Sequence, residues 1–115
     1  MKLPNVEAAV APKAKVVDYL LSPTHPGGKS KAEFFSAFGF SREHWTDLRD
    51  ALLTHAREHE IKTREVTDFG LRYTIDGNML SPSGVRLRVR TVWFIDNGVR
   101  VPRFVTSHPL KRRNS

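Results

Sequence analysis

The 115-residue chain contains no cysteine. That excludes disulfides, thiolate metal sites and a cysteine nucleophile. No apolar run is long enough to span a bilayer. The opening stretch MKLPNVEAAVAPKAK lacks the apolar core of a secretory signal, so a cytoplasmic address with no membrane partner is expected. No internal repeat or low-complexity tract occurs. The length suits one domain, expected over residues 1–110, followed by a basic flexible tail over 111–115. A chain of this size buries roughly two-thirds of its unfolded surface, enough for one modest core without staples.

Acidic residues are scarce towards the end. The whole chain has 19 Lys and Arg against 12 Asp and Glu, a net charge of +7. From Arg86 onward there are eight Lys and Arg and one acid, Asp96. Such polarity is the mark of a face for a polyanion more than of general solubility.

The stretch HPGGKSK at 25–31 resembles the end of a phosphate-binding loop. The loop pattern requires a glycine five positions before Gly28, where Pro23 stands, and a strand ahead of it, where the spacing predicts a helix. A nucleotide loop is therefore rejected. Ser30 and Glu33 have capping-box spacing, which predicts a helix starting at Ser30. Lys29 and Lys31 then flank a helix start and form a corner attractive to anions.

Three helices are expected. Val16, Val17, Leu20 and Leu21 give the stripe of one over about Pro12–Leu21. Phe34, Phe35 and Phe38 face the second. Ser41 is the expected N-cap of the third, with Phe40 and Trp45 as a hydrophobic staple and Trp45, Leu48, Leu52 and Ala56 as its core face. After about Ile61 the apolar period changes to two. FGLRYTID, VRLRVRTVWFID and VRVPRFVTSH predict strands, with turns at SPSG (81–84) and Asn97-Gly98. Pro102 places the last strand at an edge or beside a bulge. The fold class is α+β: N-terminal helices packed on a C-terminal antiparallel β-meander of three to four strands.

In the second of these runs, Arg86, Arg88 and Arg90 share one face, about 7 Å apart, close to the spacing of successive phosphates. Val92 and Phe94 continue that face, and an aromatic beside a basic row suits a stacked base. A two-residue hairpin at Asn97-Gly98 sets Arg103 opposite Val92 and sends Thr106 and His108 to the other face. One bulge near Pro102 reverses that assignment. His55 and His59 in HAREH match a zinc-protease spacing, but the segment reads as a polar, exposed helix end with no third ligand, and no metal site is expected. His25 and His108 are better placed, one in the Lys-rich loop and one ending the basic strand.

KLPN (2–5), YLLSPTHPGGKSKAEFF (19–35), GF (39–40), VRTVWFID (89–96) and VPRFVT (101–106) together resemble a bacterial domain family of unknown function. The resemblance spans nearly the whole chain. Related domains end large polymorphic toxins and keep a similar HPxGxxKAxxF and VRTxWxxDxGxxxPR layout. The order of helices then antiparallel sheet also looks like the barnase/RelE-like toxin ribonucleases, a likeness of fold alone. The resemblance carries to His25, Lys29, Lys31, Arg90, Trp93, Pro102, Arg103 and Thr106. Position 29 is often Arg in the family and is Lys29 here, which keeps the charge; position 108 is more often aromatic, and here is His108.

The function this reading implies is a toxin-like, metal-independent ribonuclease that needs no cofactor. The neighbouring 2′-OH attacks the phosphate, so the site must supply proton transfer and cations. Lys31, Arg90 and Arg103 are expected to stabilise charge, His25 to transfer protons and Thr106 to position the phosphate. Lys29, Arg86, Arg88, His108 and Lys111 are expected to hold nucleic acid, RNA in preference to DNA. An acidic antitoxin or immunity protein is a possible further partner. The alternative is a non-catalytic nucleic-acid-binding or toxin–antitoxin partner protein using the same basic face. An immunity protein fits less well, because proteins that neutralise basic nucleases tend to be acidic.

Overall fold

The computed structural model describes residues 1–110. The expected tail, Lys111 included, lies outside the described residues. A short 3₁₀ turn (Val6–Ala8) leads into α1 (Lys13–Lys15), which runs on as a π-helical turn (Val16–Leu20). Helices α2 (Lys29–Ala37) and α3 (Trp45–Glu58) follow. Strands β1 (Ile61–Thr67), β2 (Gly70–Leu80), β3 (Arg86–Asp96) and β4 (Arg103–Pro109) then form one antiparallel sheet in the order β1-β2-β3-β4. The expected α+β meander is observed, with four strands. Among the described residues no helix is long and apolar enough to cross a membrane.

The first helix covers the expected stretch but widens at its end. The Leu21 amide donates to the Val16 carbonyl at 2.9 Å, an i→i−5 bond, and the wider turn leaves Val16, Leu20 and Leu21 buried. Helix α2 begins one residue earlier than expected. Gly28 is its N-cap and makes no side-chain cap bond, and Ser30 lies exposed in the first turn, so the capping box does not form. The turn at 25–28 replaces it: the Gly28 and Lys29 amides both donate to the His25 carbonyl, at 2.9 and 3.0 Å.

Ser41 does not cap α3. Its Oγ accepts the His44 amide at 3.2 Å and tightens the turn before the helix. Trp45 is half-buried, with Lys13 and Arg49 over its ring at 5.8 and 5.3 Å, so it closes the core from outside instead of filling it. Leu48, Leu52, His55 and Ala56 form the buried stripe of α3. His55, expected on an exposed helix end, is 1% exposed.

Period-two alternation puts Tyr73, Ile75 and Met79, then Leu87, Val89 and Trp93, then Phe104 into one core with the helices. His55 reaches across to the sheet. It bonds Thr91 Oγ1 at 3.0 Å and the Gly77 and Val89 carbonyls at 3.2 Å each, while Trp93 Nε1 donates to the same Thr91 hydroxyl at 2.9 Å. Burial, then the neighbouring His59, pushes the His55 imidazole down to about 4. Gly77 leaves room for the neighbouring His59 ring, which a Cβ there would meet at 2.5 Å.

The β3–β4 connection is longer than the expected two-residue hairpin. Gly98 takes a left-handed φ of 76°, Val99 closes the turn on the Asp96 carbonyl, and β4 starts only at Arg103. Val10 pairs with β4 at Arg103 in a parallel bridge, donating to Pro102 and accepting from Phe104, so β4 is an edge strand capped at its start.

Candidate active site

The register of β4 decides what its side chains meet. Phe94 pairs with Arg103, Trp93 with Phe104, Val92 with Thr106 and Arg90 with His108. Val105 is therefore an extra residue, a bulge against β3. The simple hairpin register, with Arg103 opposite Val92, is not the one observed. Before the bulge, Phe104 faces the helix side against Trp93, ring centroids 5.4 Å apart. The bulge, which lies after Phe104, returns Thr106 and His108 to the face that carries Arg90 and Arg103. The same face continues across β2, where Asp76 pairs with Arg90.

Around Thr106 the helical layer closes in. Tyr19, at the π-turn, places its hydroxyl 2.9 Å from Thr106 Oγ1. The Tyr19 ring is the hub of a basic cluster: Lys31 Nζ stands 5.3 Å and Lys15 Nζ 5.4 Å from its centroid, and the His25 ring meets it edge-on at 5.1 Å. Partial burial works to raise the Tyr19 pKa, but the Thr106 hydrogen bond and the charges of Lys31 and Lys15 hold it below the usual phenol value. His25 Nδ1 accepts the Gly27 amide at 3.0 Å, which leaves its proton on Nε2. Lys31 Nζ donates to the Gly27 carbonyl at 3.1 Å. The double glycine has a steric reason: a Cβ on Gly28 would lie 2.0 Å from the Tyr19 carbonyl oxygen.

Arg90 is clasped by Asp76 through two bonds of 2.6 and 2.9 Å. The Arg90 hydrogen bond holds the Asp76 carboxyl below its ordinary range, against the effect of burial. Burial, then the charges of Arg90 and Lys31, pushes His108 down, so its imidazole is neutral at neutral pH. The structure thus brings together His25, Lys31, Arg90, Thr106 and His108. Arg103 shares the sheet face but reaches the other way. It forms two bonds to Asp96, at 2.8 and 3.2 Å, and lies 5.0 Å over the Phe94 ring. Lys29 stands on the opposite side of α2 from Lys31, in a groove with Leu21 and Pro23. Arg86 and Arg88 are exposed further along β3.

Sequence reasoning missed Tyr19 and Asp76. Tyr19 reads there as one more apolar helix residue, and no single-sequence signal marks a π-turn. Asp76 was findable as the lone acid facing the Arg row once β2 and β3 are paired. Among the described residues no group of three or more His, Asp or Glu is placed to hold a metal ion. The His55 and His59 rings lie 4.8 Å apart, tilted by 59°, and are bonded to backbone carbonyls.

No curated protein matches the chain in sequence. In structure the chain is similar to one chain of a contact-dependent growth inhibition toxin–immunity protein complex from Klebsiella pneumoniae 342, with a TM-score of 0.70 and 14% identity over 89% of this chain and 100% of that one. At that identity the likeness is one of fold. The family described as a domain of unknown function, DUF6883, matches residues 2–111, and the chain belongs to it.

Proposed function

We propose that this protein is a toxin-type ribonuclease that cleaves RNA through the substrate's own 2′-OH. The observation that carries the reading is the β4 bulge. It puts Thr106 and His108 beside Arg90, while the π-turn brings Tyr19, with Lys31 and His25, to the same strand.

The chemistry follows from these groups. The neutral His108 imidazole takes the 2′-OH proton as that oxygen attacks phosphorus. The P–O5′ bond breaks, and the leaving 5′ oxygen takes its proton from the Lys31 ammonium, while His25 donates a hydrogen bond to that oxygen from Nε2. The products are a 2′,3′-cyclic phosphate and a 5′-hydroxyl. Lys31 and Arg90 stabilise the added charge on the phosphoryl oxygens. Thr106, held by Tyr19, orients one of those oxygens. The fold likeness to a chain of a toxin–immunity complex supports a toxin-related role, and an acidic immunity-type partner would complement the basic face.

One observation favours a second reading, a non-catalytic partner protein. Arg90 and Arg103 already hold carboxylates, so neither guanidinium is free of a counter-charge. Incubation of the pure protein with transfer RNA and total RNA, with and without a chelator, decides between the two. Cyclic-phosphate ends that form equally in chelator support the ribonuclease. RNA that stays intact while the protein binds it supports the second reading.

A further inference from the structure

The basic row of β3 divides in two. Arg90 is clasped by Asp76, whereas Arg86 and Arg88 are exposed and, among the described residues, have no carboxylate within ion-pair distance. Strand β4 ends at Pro109, the partner of Val89, and among the described residues the last bond to β3 runs from the Leu110 amide to the Arg88 carbonyl at 2.9 Å. Past that point a groove of 730 Å³ opens between β3 and α2, lined by Phe34, Phe38, Asn78, Arg86, Arg88 and Leu110 among others.

This groove continues from the candidate active site. Lys31, Phe34 and Phe38 recur at i, i+3 and i+7, one face of α2. Arg90, Arg88 and Arg86 recur at period two on β3. Lys31 and Arg90 both act on His108, and at the far end the Phe38 carbonyl accepts the Ser83 amide in the β2–β3 turn. Two aligned rows therefore lead away from the cluster, one aromatic and one cationic. Phe94, the aromatic expected to stack a base, is already covered by Arg103.

Resting on the ribonuclease reading, we infer that the groove is a subsite for the single-stranded nucleotides next to the scissile phosphate. Bases stack on the half-buried rings of Phe34 and Phe38, and successive phosphates run along Arg88 and Arg86. Duplex RNA does not fit, because its bases have no free faces to offer.

The probe is a fluorescent 2′-deoxy single strand of about six nucleotides, which binds such a subsite and lacks the 2′-OH that cleavage needs. Phe38→Leu should weaken its binding about tenfold, and an abasic strand, which loses the stack on Phe34 as well, should bind the native protein more weakly still. Arg86→Gln with Arg88→Gln should reduce the slope of log affinity against log salt by about 1.4, at about 0.7 for each of two single-strand phosphates. Both arginines are exposed, so this variant reads the site even where Phe38→Leu fails to fold. These effects without any RNA cleavage leave the subsite standing and remove the ribonuclease. Cleavage in the native protein, with an unchanged slope in the arginine pair, removes the subsite alone. Binding of polyglutamate, with no binding of the strand, overturns the subsite in favour of an acidic protein partner.

Discussion

The hydroxyls of Tyr19 and Thr106 lie 2.9 Å apart across 87 residues of sequence, and they tie the helical layer to the edge of the sheet. The same contact is where the candidate site begins. Removing it separates site from fold. Tyr19→Phe keeps the ring that Lys31 and His25 pack on and deletes one partly buried hydrogen bond, at a stability cost of about 1 kcal/mol. Lys31→Ala should barely move the melting temperature and should lower RNA cleavage on the order of a hundredfold, the usual effect of losing a group that stabilises transition-state charge. Undiminished cleavage by folded Lys31→Ala protein would take this lysine out of the mechanism.

The two glycines of HPGGKSK should respond differently. A Cβ on Gly27 would make ordinary contacts of 3.4 Å with the His25 and Tyr19 rings, whereas one on Gly28 would press to 2.0 Å on a backbone oxygen. Gly28→Ala should therefore destabilise by about 2 kcal/mol or more, and Gly27→Ala by well under 1 kcal/mol. Thermal melts of the two variants side by side check the contrast.

The buried imidazole of His55 makes stability pH-dependent. Its folded pKa is about 4, against 6.5 for the ordinary group. The unfolded chain thus binds a proton that the folded chain refuses between those values. The stabilisation is complete above pH 6.5 and is lost as pH falls towards 4. It amounts to about 3 kcal/mol at most, from 1.36 kcal/mol per pK unit. Urea melts at pH 7.5 and pH 5 should show the loss. His55→Leu should be less stable at pH 7.5 but should lack most of the drop, and what slope remains should come from His108, lowered in the same direction.

Asp76→Asn frees Arg90 from its counter-ion. The carboxylate is almost buried, so losing this charge-assisted pair should cost about 2 kcal/mol. The same change removes a negative charge from the face proposed to meet phosphate. Nucleic-acid affinity should rise at low salt, measured with the deoxy strand. A fall would mean that Arg90 needs Asp76 to hold its direction.

Much of this architecture was legible because apolar spacing sets it. Leu48, Leu52 and Ala56 marked α3, and Leu87, Val89 and Trp93 marked the inner face of β3. The turns carried their own residues, down to Gly98. The caps were not legible: Ser30 and Ser41 had the right chemistry at the wrong helical position, because a backbone turn at His25 and the half-buried Trp45 set those starts. Most of the site was named as residue types, and His25, Lys31, Arg90, Thr106 and His108 do meet. Their meeting depends on an extra residue in β4 and a wide turn at Tyr19. Both are phase shifts that tertiary packing imposes and that periodicity alone does not reveal. Arg103 fell outside the cluster because Asp96, seven positions earlier, was its better neighbour.

The bulge at Val105 also means that β4 is written in two frames. Up to Phe104 the strand is counted from the core, against Trp93; from Thr106 it is counted from the site, against Val92 and Arg90. Side-chain chemistry at Val105 matters less than its being there. Loss of this one residue leaves every site residue in the chain, yet turns Thr106 and His108 from the basic face towards the core. Among chains of this kind, a gap in the count between the proline and the threonine of VPRFVT is thus a stronger sign of a dismantled candidate site than any single substitution within it.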